Sequence, residues 1–257
     1  MKIYRSKKLH GDVFKESLKK SELNADFIDM ITDEINQEDQ FHQNFDIIEM
    51  DESAKTSYID QAKELDWEIS ALKGFDVILR KQNHYKPYNL GSVALKSFIE
   101  SRSLDIDTTK SAVLVGEYSF LVTYALALSQ LGFKKIYIVS PENLFFNEKL
   151  ANVQKVLFDV KIQQISYDEM ANTSEISSVL IVDFDLASNP EMVEILTYFN
   201  FLAQGSLFLD LNHFFDPTLY DEADKADLRV ISSVEFHHYR YEFAKNILNN
   251  INNSTKV

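Results

Sequence analysis

The side chains that could carry chemistry in this 257-residue chain are few and scattered. With no Cys, the chain has no disulfide, no thiol nucleophile and no Cys-ligated zinc or iron–sulfur centre. Of its six His, His10, His42, His84 and His213 lack an i, i+4 partner of metal-ligand type. His237 and His238 are adjacent in a predicted final helix, where neighbours point about 100° apart and cannot share a metal. No zinc site is expected. Gly-x-Ser-x-Gly, Walker and His-Glu-x-x-His motifs are absent. Arg240, on the same final helix, has the fork geometry to bind a carboxylate through two parallel hydrogen bonds. The alternative is an ion pair with Glu52 or another acid. His213 follows the apolar run SLFLDL, where it either lines a pocket or is a hydrogen-bonded loop residue. Phe145-Phe146 and Phe214-Phe215 fit a core or domain contact better than a cofactor box, and if exposed would mark a partner surface. Tyr239 and Tyr241 suit either role.

The charge that surrounds these residues is lopsided. Between Glu22 and Glu68 there are 15 Asp/Glu against Lys55 and Lys63, a net of −13 out of −14 for the chain. Solvated helix and loop faces account for such a run. A single-sign field also repels anions within a Debye length of about 8–10 Å, so a nucleic-acid groove is not expected there. The hydrophobic fraction of 45% suffices for a real core. No window approaches 18 consecutive apolar residues, and the opening MKIYRSKKLHGDVF has no apolar segment of a secretory signal. These features point to a soluble, cytoplasmic protein without membrane contact.

The elements that must position any site alternate between strand and helix. Strands are predicted near residue 2 and over 27–31, 45–50 and 75–79. Helices are predicted over 10–21, from Ser53 to about 65, and from Asn89 or Gly91 to about 103. A polar connection covers 36–44. Beyond the polar SLDIDTTK segment, strands are expected at 111–115 (ending at Gly116), 135–139, 161–166, 178–184, 206–211 and 229–232. Helices at 120–131 (closed by Gly132), 148–157, 190–203 and 234–251 separate or follow them. Near-continuous apolar strands between helices mean a parallel sheet covered on both faces. The fold class is therefore α/β, with an N-terminal domain over 1–103 joined by the final helix 234–257. A doubly wound, Rossmann-like domain spans 104–233. The tail NNINNSTKV reads as disordered.

Several segments together resemble the shikimate dehydrogenase family. VLVGEYSFLVTYALALSQLGFKKIYIV is similar to that family's strand–glycine loop–helix–strand unit. FLDLNHFFDPTLYDEADKADLRVISSVEFHHYRYEFA resembles its C-terminal strand, turn, helix and final motif. YNLGSVALKSFIE resembles the helix after its Asn-Thr-Asp-Gly segment. The resemblance implies an N-terminal substrate domain, a C-terminal NADP domain and an active site in the cleft between them. It also implies hydride transfer at a ring hydroxy acid, with a Lys and an Asp beside the reacting oxygen.

Carried over residue by residue, that pattern meets departures. Glu52 falls where the Lys should be, and Leu90 where the Asp should be. Tyr88 takes the place of the preceding Asn, and Asp76 that of an earlier Asn. Lys8 and His10 replace paired serines, Arg240 a Gln, and His213 a Tyr. The glycine loop reads Gly116, Tyr118 and Leu121 in place of Gly-x-Gly-x-x-Gly, with Glu117 beside a site meant for an anion. Gly116, Tyr118, Ser119 and Ser140 remain as cofactor-binding candidates. Ser140-Pro141-Glu142 stands where an Arg would hold a 2′-phosphate, and Glu142 could face a ribose of NAD instead. Two readings follow. In one, the chain lacks NADP binding and shikimate oxidation. It then binds a small anionic metabolite or a protein partner in a cleft lined by Glu52, Asp76, Tyr88, His213 and Arg240. In the other, it is a working NADP-dependent shikimate dehydrogenase of aromatic amino acid biosynthesis.

Overall fold

The computed structural model describes residues 1–6, 25–30, 45–50, 55, 58–59, 65–81, 84–116, 118–140, 146–183, 190–211 and 217–253. Five strands form the first sheet: β1 (Lys2–Ser6), β2 (Asp26–Met30), β3 (Ile47–Glu49), β4 (Val77–Lys81) and β5 (His84–Tyr88). Their order is β2-β1-β3-β4-β5; β1 runs parallel to β2 and β3, and the remaining pairs are antiparallel. Successive side chains leave opposite faces of a strand, and the apolar residues divide accordingly. Ile3, Ile47, Val77 and Leu79 enter one cluster, while Ile48 and Ile78 join Phe45, Met50 and Phe75 on the other face. β5 carries Pro87, which cannot donate a ladder hydrogen bond; its place at the sheet edge tolerates this.

The second sheet contains β6 (Ser111–Gly116), β7 (Lys135–Val139), β8 (Lys161–Gln164), β9 (Ser177–Asp183), β10 (Leu202–Asp210) and β11 (Arg229–Ile231). All pairs are parallel in the order β11-β10-β9-β6-β7-β8, the doubly wound topology with its switch point between β6 and β9. Both faces are buried. Leu114, Ile138, Ile181 and Leu209 supply one core, and Val113, Val139, Leu180 and Phe208 the other. The α/β, two-domain class expected from the apolar runs is thus observed.

The helices are α1 (Trp67–Leu72), α2 (Leu90–Ser101), α3 (Tyr118–Gln130), α4 (Phe146–Val156), α5 (Tyr167–Ala171), α6 (Pro190–Thr197), α7 (Pro217–Lys225) and α8 (Ser233–Asn253). Among the described residues, none is long and apolar enough to cross a membrane. Two short helices escape periodicity. α1 has only six residues, and α5 is fixed by a capping box: Ser166 Oγ accepts from Glu169 N at 3.1 Å, and Glu169 Oε2 accepts from Ser166 N at 2.7 Å. The helix expected over 190–203 ends at Thr197, because Phe199 turns to φ 42° and β10 begins at Leu202. The tail expected to be disordered is helical through Asn253, since α8 continues past Leu248, which is itself buried. The expected helix over 10–21 and the polar 36–44 connection lie outside the described residues. Of the helix expected from Ser53, Lys55, Tyr58 and Ile59 are described and helical.

α8 belongs to both cores. Phe236 packs with the second sheet's helices, whereas Tyr241 and Ala244 pack with Ile3, Ile47 and Val77 of the first sheet. An aromatic cluster ties it to α2 and α3: Phe98 meets Phe236 at 5.8 Å and Tyr239 at 5.0 Å edge-on, and Tyr124 meets Phe236 at 6.3 Å. Ser97 Oγ and Tyr239 Oη share a hydrogen bond of 2.8 Å at its margin. Phe98→Ala should lower the unfolding free energy by about 3–5 kcal/mol, measured by urea denaturation.

Candidate functional site at the domain junction

Three charged side chains converge where α8 crosses the first sheet. β3 ends on Glu49, an acid inside the apolar run Ile47-Ile48-Glu49-Met50, and 3% exposed. Arg240, 191 residues later and 5% exposed, reaches it from α8 with Nη1 donating to Glu49 Oε1 at 2.8 Å. Its other fork, Nη2, donates to Asp76 Oδ2 at 3.0 Å. Tyr241 Oη lies 3.0 Å from both Glu49 oxygens, where it donates. Asp76, at the entry to β4, accepts from Leu90 N at 2.7 Å and Gly91 N at 2.6 Å. It thereby satisfies two amides of the α2 N-terminus, where the helix dipole favours an anion. Gly91 sits in this crowding: a Cβ there would stand 2.9 Å from Asp76 Oδ2 and 2.8 Å from the Tyr124 hydroxyl, so those side-chain ends would have to shift.

The electrostatics follow from burial. Removing the Arg240 guanidinium from water opposes its charge, but Asp76 and Glu49 outweigh that and hold it ionised beyond the usual range. The Tyr124 phenol, brought from α3, is pushed well up by burial; Arg240 opposes the shift and Asp76, Asp183 and Glu49 add to it. It stays neutral. His237 Nδ1 lies 3.4 Å from Arg240 Nη1. Two carboxylates and one guanidinium leave the centre with a formal charge of −1, and Arg240 has committed both Nη groups to the protein's own acids. Across the junction, Thr123 Oγ1 of α3 donates to Asn89 Oδ1 at 3.1 Å.

At the switch point of the second sheet, a dinucleotide would need a bare glycine loop. Gly116 ends β6 opposite Asp183, and its open face is taken by the protein itself. A Cβ there would meet the Phe120 ring, with Cε1 at 2.7 Å, and the Asp183 carbonyl at 2.8 Å. Leu121, at the third glycine position, is fully buried in the helix–sheet core. Among the described residues, the Phe120 ring thus lies against Gly116, and β9 ends beside it at Asp183; residues 117, 141–145 and 184–189 lie outside the described residues.

Asp76 and Arg240, both expected in the cleft, are in contact. Tyr88 stands beside them at the end of β5, its phenol raised by burial, then by Asp76 and Glu68. Of the two roles open to Arg240, the structure has the ion pair, with Glu49 and Asp76. Leu90 is fully buried with Ile47, Val77 and Tyr241. Tyr118 and Ser119 open α3, and Ser140 is buried just after β7. Glu52, His213, Glu117, Glu142, Lys8, His10, Phe145, Phe214 and Phe215 lie outside the described residues. Among the described residues no group of three or more His, Asp and Glu could hold a metal. Glu49 and Tyr124 are the participants that motif reading missed. Glu49 carried a usable signal, a single charge within four apolar strand residues.

Replacing Arg240 by Met strands Glu49 and Asp76 without a counter-ion. A loss of about 3–5 kcal/mol in unfolding free energy is expected, read by chemical denaturation at neutral pH.

Comparison with known proteins gives the fold a counterpart. No protein-family model and no curated protein matches the sequence. Solved structures do. Shikimate dehydrogenase from Aquifex aeolicus is 13% identical, with a TM-score of 0.66 over 100% of this chain and 97% of that one. Shikimate 5-dehydrogenase from Listeria monocytogenes, crystallised with shikimate and NAD, is 10% identical, with a TM-score of 0.65 over 96% and 91%. Quinate dehydrogenase from Corynebacterium glutamicum, in complex with NAD, is 10% identical with a TM-score of 0.65 over 95% and 92%. The two-domain architecture of this chain is that of the shikimate dehydrogenases.

Proposed function

We propose that this chain is a shikimate dehydrogenase-like protein that does not run NADP-dependent shikimate oxidoreduction and serves as a binding or regulatory protein. The observation that carries this reading is the interdomain centre itself. Oxidation of a ring hydroxyl by hydride transfer needs a group that takes the hydroxyl proton. At the position the resemblance gives to the Asp of that pair stands Leu90, buried and aliphatic. The cation at this centre, Arg240, is never deprotonated at physiological pH and is bound to Glu49 and Asp76.

The second domain supports the same reading independently. Listeria shikimate 5-dehydrogenase and Corynebacterium quinate dehydrogenase were crystallised with NAD. In this chain the Phe120 ring lies on Gly116, and Leu121 fills the helix–strand contact. Two sites on separate sheets thus depart together from what the reaction requires.

Calorimetric titration with NADPH and NADP⁺ at low salt tests the proposal, followed by an assay with shikimate. No binding heat up to millimolar cofactor and no turnover are expected. Micromolar binding, roughly −8 kcal/mol, with shikimate-dependent reduction of NADP⁺ would overturn it.

A further inference from the structure

Beside the charged centre, but sharing none of Glu49, Asp76 or Arg240, a cavity of about 120 Å³ lies between α1, α2 and α3. Its polar lining consists of Glu68, Tyr88, Asn89, Ser92 and Gln130, with Asp66 at the exposed rim. Leu126 and Ile69 give it apolar wall. Ser92 is 1% exposed, and its Oγ is buried without a hydrogen-bond partner. Asn89 is 5% exposed, and its Oδ1 is already used by Thr123. Its amide bears on the Glu68 carboxyl. Buried polar groups are paired as a rule, and each exception asks for a reason.

The cavity has a definite chemical sense. Two carboxylates and no cation line it, so it disfavours anions. Burial and the neighbouring Asp66 raise the Glu68 carboxyl, and the Asn89 amide pulls it back down. The cavity thus offers the carboxylates of Glu68 and Asp66 as acceptors and, in Ser92, a buried hydroxyl without a partner that can donate or accept. We infer that it binds a small amino alcohol. The ammonium pairs with Glu68, the ligand oxygen bonds Ser92 Oγ, and the carbon stem lies on Leu126. At about 30 Å³ for each water displaced, the space suits a molecule of about four non-hydrogen atoms. Because α1 lies between β3 and β4 of the first sheet and α3 follows β6 of the second, a ligand there touches both domains. The proposal stands apart from the loss of oxidoreduction, since it uses neither the glycine loop nor the Leu90 position.

Ethanolamine is the probe, followed by the thermal unfolding midpoint against matched NaCl and confirmed by calorimetry. Ethylamine, which lacks the hydroxyl, and ethylene glycol, which lacks the charge, are the controls. Ethanolamine should raise the midpoint saturably, with both controls at least about tenfold weaker. Glu68→Gln and Ser92→Ala should each weaken ethanolamine by about tenfold or more. If Glu68→Gln fails to fold, the Ser92→Ala titration decides. The proposal is overturned by the absence of a saturable shift, by an equal shift with ethylene glycol, or by undiminished binding in the folded variants.

Discussion

A guanidinium taken out of water needs its charge answered on the spot. Arg240 finds two acids from different segments, Glu49 at the end of β3 for Nη1 and Asp76 before β4 for Nη2, while its Nε is buried without a partner. Each acid needs further partners in turn. Tyr241 answers Glu49, and the first two amides of α2 answer Asp76. One arginine thereby fixes the position of α8 on the first sheet, and the position at which α2 begins. Remove it and two carboxylates remain in an apolar setting. The Arg102–Glu235 pair between α2 and α8, by contrast, is exposed and adds little.

The same centre shapes what the domain junction can do. Arg240, Glu49 and Asp76 occupy the ground between the first sheet and α8, and Tyr124 closes on it from α3. The aromatic cluster of Phe98, Phe236 and Tyr239 continues the contact away from the charges. A junction built this way stabilises one arrangement of the two domains through its own side chains. Ser92 Oγ, buried without a partner, sits on the other side of the α2 N-terminus.

The second sheet was legible because parallel strands covered on both faces must be apolar at every position, and runs such as Ala112–Val115 and Val179–Val182 are so. The first sheet was harder. Its strands alternate, β3 has three residues, and α1 is too short to show a helical period. Asp76 and Arg240 emerged by carrying over family positions, but their mutual contact spans 164 residues and no local pattern encodes it. Glu49 was visible as a charge within an apolar strand, yet only the fold shows that its partner is Arg240. Ser92 gave no signal at all: a serine in the first turn of a helix is ordinary, and its importance comes from the cavity that α1 and α3 complete around it.

The central claim is that Arg240 and its two acids act as one energetic unit. A double-mutant cycle on Arg240→Met and Glu49→Gln, with unfolding free energies from urea titration, measures this directly. A coupling energy of about 2 kcal/mol or more is predicted, with the double variant more stable than the two single losses would sum to. Additive losses within about 0.5 kcal/mol would contradict the account.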